Sequence, residues 1–370
     1  MENKKNILDV VSISGLRVKK FEGERGYLST GDLDFNKIAN IELVSYENKP
    51  SRANQNVNVG EVIFAKMKDT KKTLVIDEES KDIIVSTGFY VLKPSKQILS
   101  KYLYHYLNSD YFLNQKNKLS KGATQCALNN EGLSNITIYM YNLETQKKIV
   151  EILDKAQELI DKRKVQIEIL DLLVKSKFIE MFGDPNTNSK GWVQKRIGDI
   201  CKNKDSNRIP LKQSDRDKRE GEYPYYGATG IIDYIDSYIF EGLHLLIAED
   251  GKNLETKNKD IAFLAEGKFW VNNHAHVVVE TEESNLYYLK YVINNINLKP
   301  YITGIDQLKL NRSNLDKIVI NVPPIELQDK FETFVKQVDK LKFEMEKSLK
   351  ELEDNFNSLM QKAFKGKLFI

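Results

Sequence analysis

A metal-dependent hydrolase would need carboxylates at workable spacing, and one such set can be read. After Asp250, fifteen residues lead to Glu266-Gly-Lys268. Two carboxylates so placed could hold Mg²⁺ while the lysine activates a water. The signal is cheap: the chain has 56 Lys+Arg and 53 Asp+Glu, and Glu255-Thr-Lys257 repeats the same short pattern. Asp250-Gly-Lys reads better as a turn. His274 and His276 alternate onto one strand face, with Glu280 further along it. That triad lacks a fourth ligand, and the histidines serve equally well as polar contacts or turn anchors. No metal site is expected.

Other chemistries fail on residue type. Glu266-Gly-Lys268-Phe lacks the first glycine and the hydroxyl of a phosphate loop. Asn321-Val-Pro-Pro-Ile is superficially like the Asn-Pro-Pro-aromatic loop that holds a flipped adenine. It inserts a valine, lacks the aromatic, and has no glycine-rich cofactor turn upstream. No catalytic constellation survives, so the chain is expected not to be an enzyme and to carry no cofactor. What remains is a vocabulary for recognition. Lys49, Arg52, Asn54, Lys66, Lys68, Lys71 and Lys72 form one cluster. Lys212, Arg216, Lys218, Arg219, Tyr223, Tyr225 and Tyr226 form a second, with Asn272, Asn273, His274 and His276 following. Lysine and arginine neutralise phosphates, while Asn, Arg and Tyr can address base edges. Taken alone each cluster reads more readily as a solvated loop than as a DNA face; appearing in both halves of the chain, the two readings stand level.

Composition narrows the field. The 370 residues are 41% hydrophobic and 29% charged with a net charge of +3, ordinary for a globular protein. A uniformly basic DNA-packaging protein is excluded; local basic surfaces are not. Cys126 and Cys201 are too few for a disulfide scaffold or a cysteine-rich zinc site. There is no signal-peptide pattern and no apolar run of membrane-spanning length, so a cytoplasmic location without membrane contact is expected.

The chain repeats itself. Shifted by 182 positions, Gly122, Gln125, Leu128, Asn129, Leu133, Ile136, Ile138, Glu144, Gln146 and Lys148 each meet the same residue type. Tyr102-Leu-Tyr-His-Tyr-Leu resembles Tyr288-Leu-Lys-Tyr-Val-Ile after a short gap. A tandem duplication follows, each half β-rich and then helical. In the first helical part, Ile149, Leu153, Ala156, Ile160, Ile167, Leu170, Val174 and Met181 step by threes, fours and sevens, with Arg163 and Lys177 filling the sevens. In the second, Phe331, Phe334, Val338, Leu341, Met345, Leu349, Leu352, Phe356, Leu359 and Ala363 follow suit, with a stutter at Met345. Neither stretch contains Pro or Gly; Gly183 and Gly366 mark the stops. Such narrow seams ask for a coiled-coil partner, and the two helices most economically pair with each other. The expected fold is α+β: two mixed recognition domains, each followed by a long helix, the helices pairing antiparallel with pseudo-two-fold symmetry. The expected boundaries are 1–142 and 184–322 for the domains, 143–183 and 323–370 for the helices.

Several motifs carry a family likeness. Tyr223-Pro-Tyr-Tyr-Gly-Ala-Thr-Gly-Ile-Ile, Leu246-Ile-Ala-Glu-Asp-Gly, Trp270-Val-Asn-Asn-His-Ala-His and Pro323-Pro-Ile-Glu-Leu-Gln resemble specificity subunits of type I restriction–modification systems. So do Tyr27-Leu-Ser-Thr-Gly-Asp-Leu, Gly60-Glu-Val-Ile-Phe-Ala-Lys and Lys121-Gly-Ala-Thr-Gln in the first half. The resemblance implies two target-recognition domains, each reading one half of a bipartite DNA site. It implies helices that act as a ruler and dock two methyltransferase subunits, with a further restriction and translocation subunit in the complex. S-adenosylmethionine, ATP and Mg²⁺ would then belong to those partner subunits. The first half departs at Tyr139-Met-Tyr-Asn, where the second has Pro323-Pro324, and it lacks the Asn-Asn-His-Ala-His stretch, so the two domains are expected to read different sequences. Two rival readings are a fused restriction enzyme with Asp250, Glu266 and Lys268 catalytic, and a coiled-coil scaffold with no role on DNA.

Overall fold

Runs of consecutive apolar residues set the two sheet centres. Val62–Ala65 and His244–Ala248 are buried along their whole length, the pattern of strands covered on both faces. The computed structural model describes residues 4–122 and 126–368, so Gln125 of the repeat lies outside the described residues. In the first half, Val62–Ala65 pairs with Phe89–Pro94 and Thr73–Val75, and Phe89–Pro94 also carries Val11–Ile13. A second four-stranded sheet runs Glu42–Val44, Arg25–Leu28, Ile84–Ser86, Ala53–Asn56, its central pair parallel. The second half has the same plan. His244–Ala248 lies between Ala262–Ala265 and Ala275–Val279, with Lys202–Asn203 beyond. Its other sheet runs Gly230–Ile235, Glu220–Gly227, Lys268–Val271, Phe240–Glu241, again with a parallel central pair. Strand for strand the order is identical. The hairpin Leu33–Asp34/Lys37–Ile38 has no mate among the strands of the second half.

The repeated identities now have physical reasons. Asn129 and Asn311 each accept a backbone N–H through their side chains, capping the short helices Asn130–Ser134 and Arg312–Lys317. Leu133, Ile136, Leu315 and Ile318 are fully buried. Gln146 is also fully buried: its Oε1 accepts from Leu99 N (2.9 Å), and its Nε2 donates to the carbonyls of Gln97 and Tyr141. Gln328 repeats this with Asn285 N (2.9 Å) and the carbonyls of Glu283 and Pro323. Tyr102 and Tyr288 donate to the carbonyls of Tyr139 and Asn321. Each half thus clips its long helix to its globular part with the same two side chains.

Two helices of 40 residues follow the globular parts, α1 (Leu143–Phe182) and α2 (Ile325–Phe364). Two compact units divide the chain, and only the second is a continuous segment. One comprises 1–165 with 347–370, the other 166–346. In the first unit, Ile149, Val150 and Leu153 of α1 share a core with Met360, Ala363 and Phe364 of α2. In the second, Phe178 and Phe182 of α1 share a core with Phe331 and Val335 of α2. Within each unit the helices pack antiparallel, the pairing marked by Lys164–Glu353 (2.9 Å) in one and Lys342–Asp171 in the other.

The α2 seam differs from its sequence reading. Leu341 is 46% exposed, whereas Val335 is buried and Lys342 partly so. The seam therefore runs Phe331, Val335, Val338, Lys342, Met345, Leu349, Leu352, Phe356, Leu359, Ala363, an unbroken alternation of fours and threes. No stutter is needed. Lys342 holds the position because its ammonium reaches both Asp171 carboxylate oxygens, at 2.6 and 2.8 Å, while its stem covers the seam. On α1, Ile149, Leu153, Ile160 and Leu170 are buried, and Ala156, Arg163, Ile167, Val174 and Lys177 are half-buried.

Candidate nucleic-acid interface

In the first unit, the two basic segments meet at the turn Ser86–Gly88. Thr87 N donates to the Arg52 carbonyl (2.9 Å), and Lys66 Nζ donates to the Thr87 carbonyl (2.9 Å). Lys66 lies over the Tyr90 ring at 4.4 Å, and its burial lowers its pKa. Lys72 donates to the Thr30 carbonyl, Lys71 pairs with Asp110 at 2.6 Å, and Lys49 donates to the Ala53 carbonyl. Arg52 and Lys68 are exposed; Asn54 is half-buried in Ala53–Asn56. Lys116, 1% exposed on Asp110–Leu119, braces the 65–70 segment from within. It donates to the carbonyls of Ala65 (3.3 Å) and Thr70 (2.5 Å) and to Thr70 Oγ1. Burial pushes it down to about 8, against the pull of Asp69. Sequence reading missed it, since a lysine between polar neighbours carries no sign of burial.

The second unit uses several of its expected readers as struts. Tyr225 is fully buried, its hydroxyl accepting from Leu211 N at 2.9 Å. Arg216 bonds Asp233 (2.8 Å) and the Leu211 carbonyl, and stacks on the Tyr225 ring at 5.0 Å. Arg219 pairs with Asp236 and lies over Trp270 at 5.0 Å, while Trp270 Nε1 donates to the Ile209 carbonyl. Asn272 is 6% exposed and accepts from His274 N. Tyr225, Asn272 and His276 are therefore corrected from surface contacts to internal supports: a side chain sealed from water cannot meet a base edge. Arg216 joins them, since its fork is already spent. Lys212, Lys218 and Asn273 stay exposed; Tyr223 packs against Tyr238, and Tyr226 against Phe263 and Phe269.

Beneath these loops lies a buried charge network that the sequence did not announce. His276 is fully buried between Asp205 Oδ2 (2.6 Å at Nδ1) and the Leu310 carbonyl (2.7 Å at Nε2). Arg208 donates to Glu249 (2.8 Å) and the Ala275 carbonyl, and Lys309 reaches Glu249 at 3.1 Å. Both carboxyls stay below their usual range although burial works to raise them; hydrogen bonds from His276 to Asp205 and from Arg208 to Glu249 dominate the lowering. Among the described residues, Asp205, Glu249 and His276 are one group whose ligand atoms converge within 4.8 Å. The donors are already taken by the guanidinium, the ammonium and a carbonyl, so the residues do not fit a metal. Nor does the Asp250, Glu266, Lys268 set assemble. Asp250 pairs with His274 at 2.7 Å, and Lys268 covers the Tyr238 ring. His274 stands in the turn before Ala275–Val279, apart from His276 and Glu280.

Similarity to known proteins bears directly on this geometry. A sequence model described as the type I restriction modification DNA specificity domain matches twice, at residues 4–169 and 189–354. The chain belongs to this family. The two matches fall on the two copies of the strand plan, so each half is a specificity domain with its own pair of sheets. A putative type I restriction enzyme specificity subunit from Haemophilus influenzae is 42% identical over 121 residues, a third of this chain and 30% of that protein's length. Two specificity subunits from Methanocaldococcus jannaschii match more widely. One is 23% identical over 77% of this chain and 73% of its own, the other 22% over 98% and 92%. Among solved structures, a chain from work on assembly and conformational transition of the type I R-M system covers 99% of this chain and 98% of its own. It has 19% identity and a TM-score of 0.65. The S subunit of Mycoplasma genitalium covers 98% and 95%, with 17% identity and a TM-score of 0.57. These likenesses carry the fold. No helix among the described residues is long and apolar enough to cross a membrane.

Proposed function

We propose that this chain is the non-catalytic, sequence-reading subunit of a type I restriction–modification complex, working on double-stranded DNA in the cytoplasm. The observation that carries the reading is the doubled specificity domain: two copies of one strand plan, each with exposed basic side chains, Arg52 and Lys68 in one and Lys212 and Lys218 in the other. Each domain reads one half of a bipartite site. The exposed residues Arg52, Lys68, Lys212, Lys218, Asn273 and His274 are the candidates for direct contact. The struts behind them fix the loops before DNA arrives.

Methylation and cleavage belong to partner subunits in this reading: two methyltransferase subunits that bind S-adenosylmethionine, and a restriction and translocation subunit that uses ATP and Mg²⁺. The long helices supply the docking surface. Ile152, Leu159, Ile169, Leu172, Leu173 and Ile179 of α1 are all at least 38% exposed, a density of open apolar residues that suits a protein partner. The deciding test is methylated-base sequencing of a host with and without this chain. A bipartite motif that vanishes with the chain supports the reading; an unchanged methylation pattern overturns it. The isolated chain should neither methylate nor cut DNA.

A further inference from the structure

One element recurs beside both candidate faces without any role so far. Residues 303–309 form a hairpin closed by two hydrogen bonds between Thr303 and Lys309, at 2.8 and 2.9 Å. Its outgoing strand is sewn to the Asp250 turn: Gly251 N donates to Leu308 O (3.1 Å), and Leu310 N to Glu249 O (2.8 Å). In the first unit, Lys121 and Ala127 make the same closing pair. There Lys68 N donates to Cys126 O (3.0 Å), and Leu128 N to Lys66 O (2.9 Å). Each of these bonds has its counterpart, with the 303–310 side offset by 182 and the anchoring residues by 183. In the first unit the segment that makes these anchoring bonds carries Lys66 and Lys68. In the second it is the turn whose Asp250 holds His274.

The tip of the second hairpin is chemically odd. Gly304 has φ +89°, and a Cβ there would run into the Gln307 carbonyl oxygen, so the turn demands glycine. It lifts Ile305 to 95% exposure, beside exposed Asp306 and Gln307. A single exposed aliphatic residue is unremarkable in general. Here it stands on a backbone-braced hairpin whose root, Lys309, is tied to the buried Glu249–Arg208–His276 network. That network also holds the 204–219 segment, through Asp205 and Arg208.

We propose that the 303–309 hairpin is a DNA-contacting element of the second recognition domain, with Ile305 packing on base edges or a thymine methyl and Gln307 bonding beside it. The inference rests on the function proposed above. Double-stranded DNA is favoured over a protein partner because this element is rooted beside Lys66 and Lys68 in the first unit, and beside Lys309 and the Asp250-held His274 in the second. Aliphatic side chains serve this way against thymine methyls and between base steps.

The test uses the full chain assembled with its methyltransferase subunits, and duplexes in which each half-site is randomised separately. Ile305→Ala leaves folding untouched, since the side chain packs on almost nothing. It should weaken binding of the intact bipartite site by about five- to tenfold, the scale of one lost base contact. Gln307→Ala should relax base preference at a position of the same half-site, with selection at the other half-site unchanged. Affinity and preference equal to wild type for both variants would overturn the proposal. So would poorer assembly with the methyltransferase subunits at unchanged affinity per assembled complex, which would make the tip a protein contact. If the wild-type complex itself selects no bipartite site, the functional reading fails, an outcome distinct from either.

Discussion

Buried polar side chains set the tolerances of this molecule. Gln328 satisfies three backbone groups at the point where α2 meets the second unit, so Gln328→Ala strands them in a dry place. Orphaned buried groups cost about 1–3 kcal/mol each, so an overall loss of about 3 kcal/mol or more is expected. Both tryptophans, Trp192 and Trp270, lie in this unit, so their emission during urea unfolding reads the loss directly; an unshifted midpoint would show the glutamine to be dispensable. In the first unit, Asp154 accepts from His105 at 2.8 Å and Lys101 at 2.6 Å. The His105 bond leads in pulling its pKa down to about 2, against burial, with Lys101 adding to it. A depressed carboxylate contributes stability above its unfolded pKa of about 4 and loses it as pH falls toward the folded value. Stability of the first unit should therefore decline between pH 4 and 2, and Asp154→Asn should flatten that limb in acid melts followed by circular dichroism.

At the scale of elements, the α2 seam shows where sequence periodicity stops being decisive. Leu341 and Lys342 are neighbours, and hydrophobicity alone selects the leucine. The helix instead turns Lys342 inward, because Val335 and Val338 fix the phase before it and Met345 fixes it after. Lys342→Leu should then strengthen the seam, raising the second unit's tryptophan-monitored midpoint by about 1 kcal/mol, as an apolar residue replacing a part-buried ion pair often does. Lys342→Ala should lower it; a fall for both variants would mean the Asp171 pair outweighs apolar packing. The duplication, both long helices and their pairing were legible because repeats and heptads are written in residue type. The network of Asp205, Arg208, Glu249, His276 and Lys309 was not, since its members come from four separate segments and each looks like an ordinary surface polar residue. Tyr225 and Arg216 misled for the converse reason: aromatic and basic residues that could read DNA are equally good at bracing a loop from within.

At the scale of the whole chain, sequence order and packing order disagree, and the disagreement can be tested. The last turn of α2 belongs to the core of the first unit: Phe364 is fully buried against Tyr102 and Tyr106, and Ala363 O accepts from Tyr141. Removing residues 347–370 should consequently unfold the N-terminal recognition domain, while the second unit, wholly within 166–346, keeps its core. Tryptophan emission should stay native, far-ultraviolet circular dichroism should fall, and selection at the first half-site should disappear before selection at the second. Phe364→Ala is the milder form, expected to cost the first unit about 3–5 kcal/mol, a large share of a typical domain's ~5–15 kcal/mol. Red-shifted tryptophan emission in either variant, with the first unit's melt unchanged, would place the C-terminal turn in the wrong core. Because the last turn of α2 completes its core, the N-terminal reader depends on that turn and cannot be cut out as a continuous segment without losing part of its core, whereas the second unit can.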